Sequence, residues 1–186
     1  MSTTQTRLNG IDVDALRGAI QAVGEEPDRG QTRWQVCTTW QGGTRMDTRV
    51  SGYWIGGTYV AKDFTIPIDE PLELCGSNLY ANPQEYLFAA LNSCMMVGFV
   101  AICSLEGIRL EELRIETDGD IDLRGFFGLS REVKPGYDEI RFTVHAKGDA
   151  SHEDFRRVHE AALATSPNYF NVANPIRLTS DLQIID

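Results

Sequence analysis

The longest apolar stretch of the chain runs from Tyr86 to Leu105 (YLFAALNSCMMVGFVAICSL) without one charged side chain. Ahead of it stand Asn82, Pro83 and Glu85: an N-cap amide, a proline at the first helical position and an acid at N3, the signature of a capping box. Gly107 supplies the stop at C′. The pattern predicts one helix over 83–106, about 36 Å long at 1.5 Å per residue. Turning about 100° per residue from Cys94 brings Leu87, Ala90, Leu91, Val97, Gly98, Ala101 and Leu105 within about 60° of the thiol. A run of this length could also span a membrane. Against that stand Asn92, Ser93 and Ser104 inside it, acidic flanks at Glu85 and Glu106, and the lack of a second such segment. A central helix wrapped by sheet fits better.

Elsewhere the period shifts between helix and strand. Residues 10–23 read as a short amphipathic helix with Leu16, Ala19, Ile20 and Val23 on one side, followed by the turn-rich GEEPDRG. This divides the chain into an N-terminal helical arm (1–29) and one larger domain (30–186). Arg33–Trp40 alternates, Gly42-Gly43 turns, Thr44–Ile55 runs back, Gly56-Gly57 turns again and Thr58–Ile66 runs forward, a three-stranded meander. Residues 69–82 form a loop into the apolar helix. After Gly107 a strand follows with Leu113, Ile115 and Thr117 on one face. A long connection over 124–136 leads to a strand over Asp138–Ala146. Ser151 to Asp154 opens a second helix ending near Ala164, and Pro175–Ile185 alternates as a closing strand. The order βββ-α-ββ-α-β, with one buried helix, makes the fold class α+β.

At 186 residues the chain can bury a real core. A net charge of -10 argues against nucleic acid or an anionic membrane as partner, since phosphate binding needs a basic face. The opening MSTTQTRLNG has no apolar signal-peptide core, which points to the cytoplasm. The four cysteines, Cys37, Cys75, Cys94 and Cys103, form no C-x-x-C pair, so neither a metal nor a cofactor is expected. Asp118-Gly119-Asp120-Ile121-Asp122 begins like a calcium loop, but Leu123 and Leu129 occupy the places of the required glycine and bidentate acid. His145, His152 and His159 have no metal or Cys–His spacing, and no P-loop, G-x-S-x-G or dinucleotide fingerprint occurs. Cys94 alone carries candidate chemistry. A cysteine on an apolar helix is by default core packing; the sharper reading is a reactive thiol at the floor of a pocket.

Several segments together resemble the OsmC/Ohr family of peroxide-stress proteins. They are Asp69-Glu70-Pro71 with Gly76; Asn82 to Leu87 leading into Ala89 to Cys94; Gly107-Ile108 with Leu113; Gly119 to Phe126; and Ser166-Pro167 with Asn174-Pro175. The similarity spans roughly residues 31–186 and is nearest the broad OsmC-like branch. It implies antiparallel sheets wrapped around central helices in an intertwined homodimer, with sites at the subunit interface. In the peroxidase members a helix cysteine attacks a hydroperoxide, an arginine from the N-terminal β region lowers its pKa and orients the peroxide, and a glutamate near the helix start holds that arginine. A second cysteine before a proline then closes a disulfide.

Carried over by position, Cys94 is the reactive thiol and Arg45 the arginine, with Arg49 as runner-up. A cation is physically needed, because Cys94 lies about three turns inside the helix and the macrodipole fades beyond the first turn. Two positions depart from the peroxidases. Gln84 stands where they carry glutamate, and an amide cannot neutralise a guanidinium; the adjacent Glu85 already suits the capping box. Ser166 stands in place of the resolving cysteine. Resolution then falls to an external thiol or to Cys75, because Cys103 lies half a turn away from Cys94 on one rigid helix. Leu91, Arg49 and Ser166 are the expected substrate contacts. The reading in front is reduction of organic hydroperoxides through Cys94 with an external thiol. The alternatives are a protein that binds a small apolar or sulfur-bearing metabolite or carries sulfur on Cys94, and a purely structural dimer.

Overall fold

The computed structural model describes residues 7–185 and divides into two compact units, 1–89 and 90–186. In the first, a short β-pair, β1 (Arg7–Leu8) and β2 (Ile11–Asp12), precedes helix α1 (Val13–Glu25), whose N-cap Asp12 accepts from the Ala15 N–H at 3.0 Å. Four antiparallel strands follow: β3 (Thr32–Trp34), β4 (Cys37–Trp40), β5 (Met46–Ile55) and β6 (Thr58–Ile68). β5 is central, with β6 along one edge and β3 then β4 along the other. Gly56 and Gly57 turn the β5–β6 hairpin with φ of 52° and 77°, a conformation that needs no Cβ.

The single strand expected over Arg33–Trp40 is interrupted at Gln35 and Val36. Trp34 pairs with Tyr53 and Cys37 with Arg49, so three steps on one side face four on the other. The mismatch coincides with the bulge in β5 between Val50 and Gly52. Gly52 is needed there because a Cβ would lie 2.3 Å from the Tyr59 hydroxyl, which donates to the Ser51 carbonyl.

Helix α2 (Pro83–Glu106) has the expected bounds. At its start the Glu85 N–H donates to Asn82 Oδ1 and the Asn82 N–H donates to Glu85 Oε2, both at 2.8 Å, a closed capping box. At its end the Ile108 N–H reaches back to the Cys103 carbonyl and the Gly107 N–H to that of Ser104, with Gly107 at φ 80°: a Schellman motif. Leu91, Met95, Phe99 and Cys103 form a buried line at spacing four. The helix is long and apolar enough to cross a membrane, with a mean hydropathy of 1.9, and 28 % of that window is buried. Its polar residues find partners: Asn92 accepts from Thr117 Oγ1 at 2.5 Å, and Ser104 donates to the Val100 carbonyl one turn back.

In the second unit an antiparallel pair, β7 (Leu110–Gly119) and β8 (Ile140–Gly148), packs with α2 and α4 (His152–Thr165). The core joins Phe99, Cys103, Ile108, Val158 and Ala162. The expected face of Leu113, Ile115 and Thr117 turns inward while its alternating neighbours are exposed. The expected long connection contains a helical turn, α3 (Leu123–Phe126). Ser151 and Asp154 close the predicted capping box of α4.

The closing strand expected over Pro175–Ile185 is not formed. Residues 174–185 pair with no strand among the described residues, and Leu178, Leu182, Ile184 and Ile185 are exposed. Ahead of them α5 (Pro167–Ala173) forms instead, capped by Ser166 with Pro167 at the first helical position. Alternation is a side-chain pattern; a strand also needs a neighbour for its backbone, and the described residues offer none to that segment.

Candidate functional site at Cys94

Cys94 lies off the buried line of α2 and is half-buried. Along its own line Leu91 is buried, Leu87 and Ala90 are exposed, Val97 is 69 % exposed, and Gly98, Ala101 and Leu105 are partly so. Cys103 is completely buried, and its thiol is pushed up to about 11 by burial first and by the Glu106 carboxylate second. The two thiols of one helix thus differ in setting, one on a half-buried residue and one on a completely buried residue. Cys37 and Cys75 are exposed and free. Cys75 adopts a left-handed backbone at φ 64°, capping the short turn Leu72–Leu74.

Arg45 follows the Gly42-Gly43 turn and is held within the first unit. Its guanidinium lies over the Tyr80 ring, 4.4 Å from the centroid, and 3.9 Å from Asp47. Its Nε is buried and has no hydrogen-bond partner among the described residues. Arg49 is different in kind: exposed on β5, it pairs with the equally exposed Asp63 across the hairpin at 3.1 Å. Gln84 is exposed in the first turn of α2, and the Glu85 carboxylate is taken up by the Asn82 N–H.

Ser166 is buried, and its Oγ accepts from the Tyr169 N–H at 3.3 Å, so the residue in place of a resolving thiol caps α5. Leu91 is buried and lines a cavity of about 310 Å³ together with Tyr137, Phe142, Tyr169 and Val172. Asn168 fastens α5 to α2 by donating to the Ala90 carbonyl at 2.9 Å.

One buried carboxylate was not among the expected site residues. Asp69, one residue past the end of β6, is completely buried and its carboxylate is a hub. Oδ1 accepts from Thr44 Oγ1 at 2.8 Å; Oδ2 accepts from the Ser77 N–H at 3.0 Å, from the Ser77 hydroxyl, and from the Leu79 N–H at 3.4 Å. These donors, Ser77 foremost, hold its carboxyl far below the usual range despite burial. Beside it Glu70 is raised, by burial first and then by the Asp69 charge. Asp69 was visible only as part of a family segment, because its donors come from two separate stretches of chain.

The three aspartates of the calcium-like segment are otherwise engaged: Asp118 and Asp120 pair with Arg141, and Asp122 caps α3. Among the described residues no group of three or more acids, histidines and cysteines could hold a metal.

The profile of the OsmC-like protein family matches residues 76–181, more than half of the chain. YmaD, an uncharacterized protein of Bacillus subtilis strain 168, is 27 % identical over 105 residues, covering 56 % of this chain and 66 % of its own length, just under two thirds. Among solved structures, an OsmC-like protein from Mycoplasma pneumoniae superposes with a TM-score of 0.60 at 12 % identity, over 76 % of this chain and 87 % of its own. A protein of Psychrobacter arcticus, provisionally described as an osmotic stress induced and detoxification response protein, gives 0.56 at 16 % identity over 75 % and 88 %. Likenesses at that identity speak for the fold; the antiparallel sheets and central helix are those of OsmC-like structures. With the profile match over its C-terminal half and beyond, the chain belongs to the OsmC-like protein family.

Proposed function

We propose that this protein reduces organic hydroperoxides at Cys94, as a homodimer in the cytoplasm, with an external low-molecular-weight thiol as reductant. The observation that carries the reading is the position of Cys94, off the buried line of α2 and half-open, where Cys103 on the same helix is sealed. The thiolate attacks the distal peroxide oxygen, the O–O bond breaks, an alcohol leaves with the second oxygen and a proton, and the sulfur becomes sulfenic acid. An external thiol condenses with it and releases water; a second thiol displaces the mixed disulfide and restores Cys94. Arg45 is the cation assigned to the thiolate and the peroxide, with Arg49 in reserve, and Gln84 is its amide neighbour in role. Leu91 belongs to the apolar wall met by the substrate. The Ser166 position leaves Cys75 as the sole internal thiol considered for resolution.

Reduced protein mixed with cumene hydroperoxide is expected to lose one thiol per chain, and Cys94→Ser to lose none. If Cys94→Ser consumes peroxide as fast as the wild type, the proposal fails.

A second reading is favoured by two specific departures: Gln84 carries no charge, and Ser166 is a buried helix cap. In it the site binds a small apolar or sulfur-bearing metabolite or carries sulfur on Cys94. Intact mass of protein purified without reductant separates the two: a persulfide or bound metabolite supports this reading, a sulfenic or mixed-disulfide adduct the first.

A further inference from the structure

Resting on the assignment of Arg45 as the site cation, we infer that Tyr80 and Asp69 are the positioning residues that aim its guanidinium, in the place of a carboxylate partner that Gln84 cannot supply. The pair to be held is Arg45 over the Tyr80 face, 4.4 Å from the centroid. Asp69 fastens the residue immediately before each member of that pair: Thr44 through Oδ1 and Leu79 through Oδ2. Ser77 adds its N–H and hydroxyl to the same oxygen. The loop carrying Tyr80 is closed at its ends by the Asp69 N–H donating to the Ala81 carbonyl, and inside by the Asn78 N–H donating to that of Glu70. Gly76 lets the loop fold this tightly, because a Cβ there would stand 1.7 Å from the Glu70 oxygen. One buried carboxylate therefore fixes the hairpin that bears the cation and the loop that bears the ring.

The chemistry of the pairing is apt. An aromatic face attracts a guanidinium without neutralising it, and the Asp47 carboxylate, 3.9 Å away and about a third exposed, stands at the outer limit of an ion pair and offsets the field only weakly. Nε meanwhile is buried with no hydrogen-bond partner among the described residues, a donor left over for another group.

The test uses full-length protein with Cys37 and Cys75 replaced by serine, and reads the rate of iodoacetamide alkylation of Cys94 against pH. Arg45→Met moves the midpoint to higher pH. Tyr80→Leu moves it the same way and slows the neutral-pH rate roughly two- to fivefold, the strength of an exposed cation–π contact. Tyr80→Phe, which keeps the face, stays within roughly twofold of the parent on that same scale. Thr44→Val, which removes one hydrogen bond and keeps the fold, slows the rate as well, and adds nothing on top of Tyr80→Leu, because both act through one guanidinium. The inference is overturned if Arg45→Met shifts the profile while Tyr80→Leu does not, if Tyr80→Phe is as slow as Tyr80→Leu, or if the Thr44 and Tyr80 effects simply add. An unchanged profile in Arg45→Met removes the cation assignment itself, and this inference with it.

Discussion

Cys94 and Cys103 stand nine residues apart on one helix, which at about 100° per residue places them on opposite sides. The difference in environment that follows is large. Cys103 is fully buried with its thiol raised to about 11, so at pH 7.5 its thiolate fraction is roughly two orders of magnitude below that of an ordinary free thiol. With Cys37 and Cys75 replaced by serine, native protein is expected to take up one equivalent of iodoacetamide at Cys94, and a second only after denaturation. Comparable native labelling of Cys103, read by peptide mass, would contradict the burial on which the contrast depends. At this scale the thiol was legible from the sequence, since a cysteine inside an uncharged, doubly capped run can be placed on a helix face by counting. The setting of Arg45 was not. Tyr80 lies thirty-five residues further along, and a ring beneath a guanidinium leaves no periodicity to read. The Asp69 donors come from residues 44, 77 and 79, which only the folded chain brings together.

Elements with both ends signalled in the sequence formed as expected, as did the β5–β6 hairpin and the β7–β8 pair, whereas the unbroken strand over Arg33–Trp40 and the closing strand did not. The bounds of α2 follow from Asn82 with Glu85 at one end and Gly107 at the other. Asn82→Ala removes the side-chain acceptor of the Glu85 N–H and is expected to cost about 1 kcal/mol, seen as a lower urea midpoint; an unchanged midpoint would show the cap to be idle. The break between β3 and β4 coincides with a bulge in β5, which the sequence of β3 cannot announce. The loop between β6 and α2 carries its own pH dependence. Because the Asp69 carboxyl is held below its unfolded value of about 3.9, its contribution is present in full above that value. It is lost as pH falls through the lower, folded value. Wild-type stability should therefore drop between pH 5 and pH 2 more steeply than that of Asp69→Asn, which has already lost the charge at neutral pH. Urea midpoints at pH 5, 3 and 2 measure this, and parallel curves for the two proteins would refute it.

For the whole molecule the open question is what covers its apolar surface. Val97 is 69 % exposed on the Cys94 line of α2, with Leu87 and Ala90 exposed beside it. The alternating Ile176, Leu178, Leu182 and Ile184 of the C-terminal segment are between half and nine-tenths exposed and have no strand beside them among the described residues. Isolated exposed apolar residues are ordinary, but a line along a helix and an alternating segment with unpaired backbone are what interfaces and missing strand partners leave behind. In the proposed homodimer the second copy covers both. Analytical ultracentrifugation of the wild type is then expected to give about twice the 20.7 kDa chain mass. Val97→Lys tests the helix line directly. The side chain is open in the single chain, so lysine leaves its fold intact; at a covered interface it would bury an unpaired ammonium, which is strongly unfavourable. The variant should sediment nearer the single-chain mass with an unchanged far-ultraviolet spectrum. Hydrogen exchange over 176–185 should be slow in the wild type and fast in the variant, because strand amides are protected only while a neighbour accepts them. A wild type that sediments as one chain would refute the dimer, and a dimeric Val97→Lys would refute the place assigned to its interface. Fast exchange of 176–185 in a wild-type dimer would mean that the C-terminal segment gains no strand partner from the second copy.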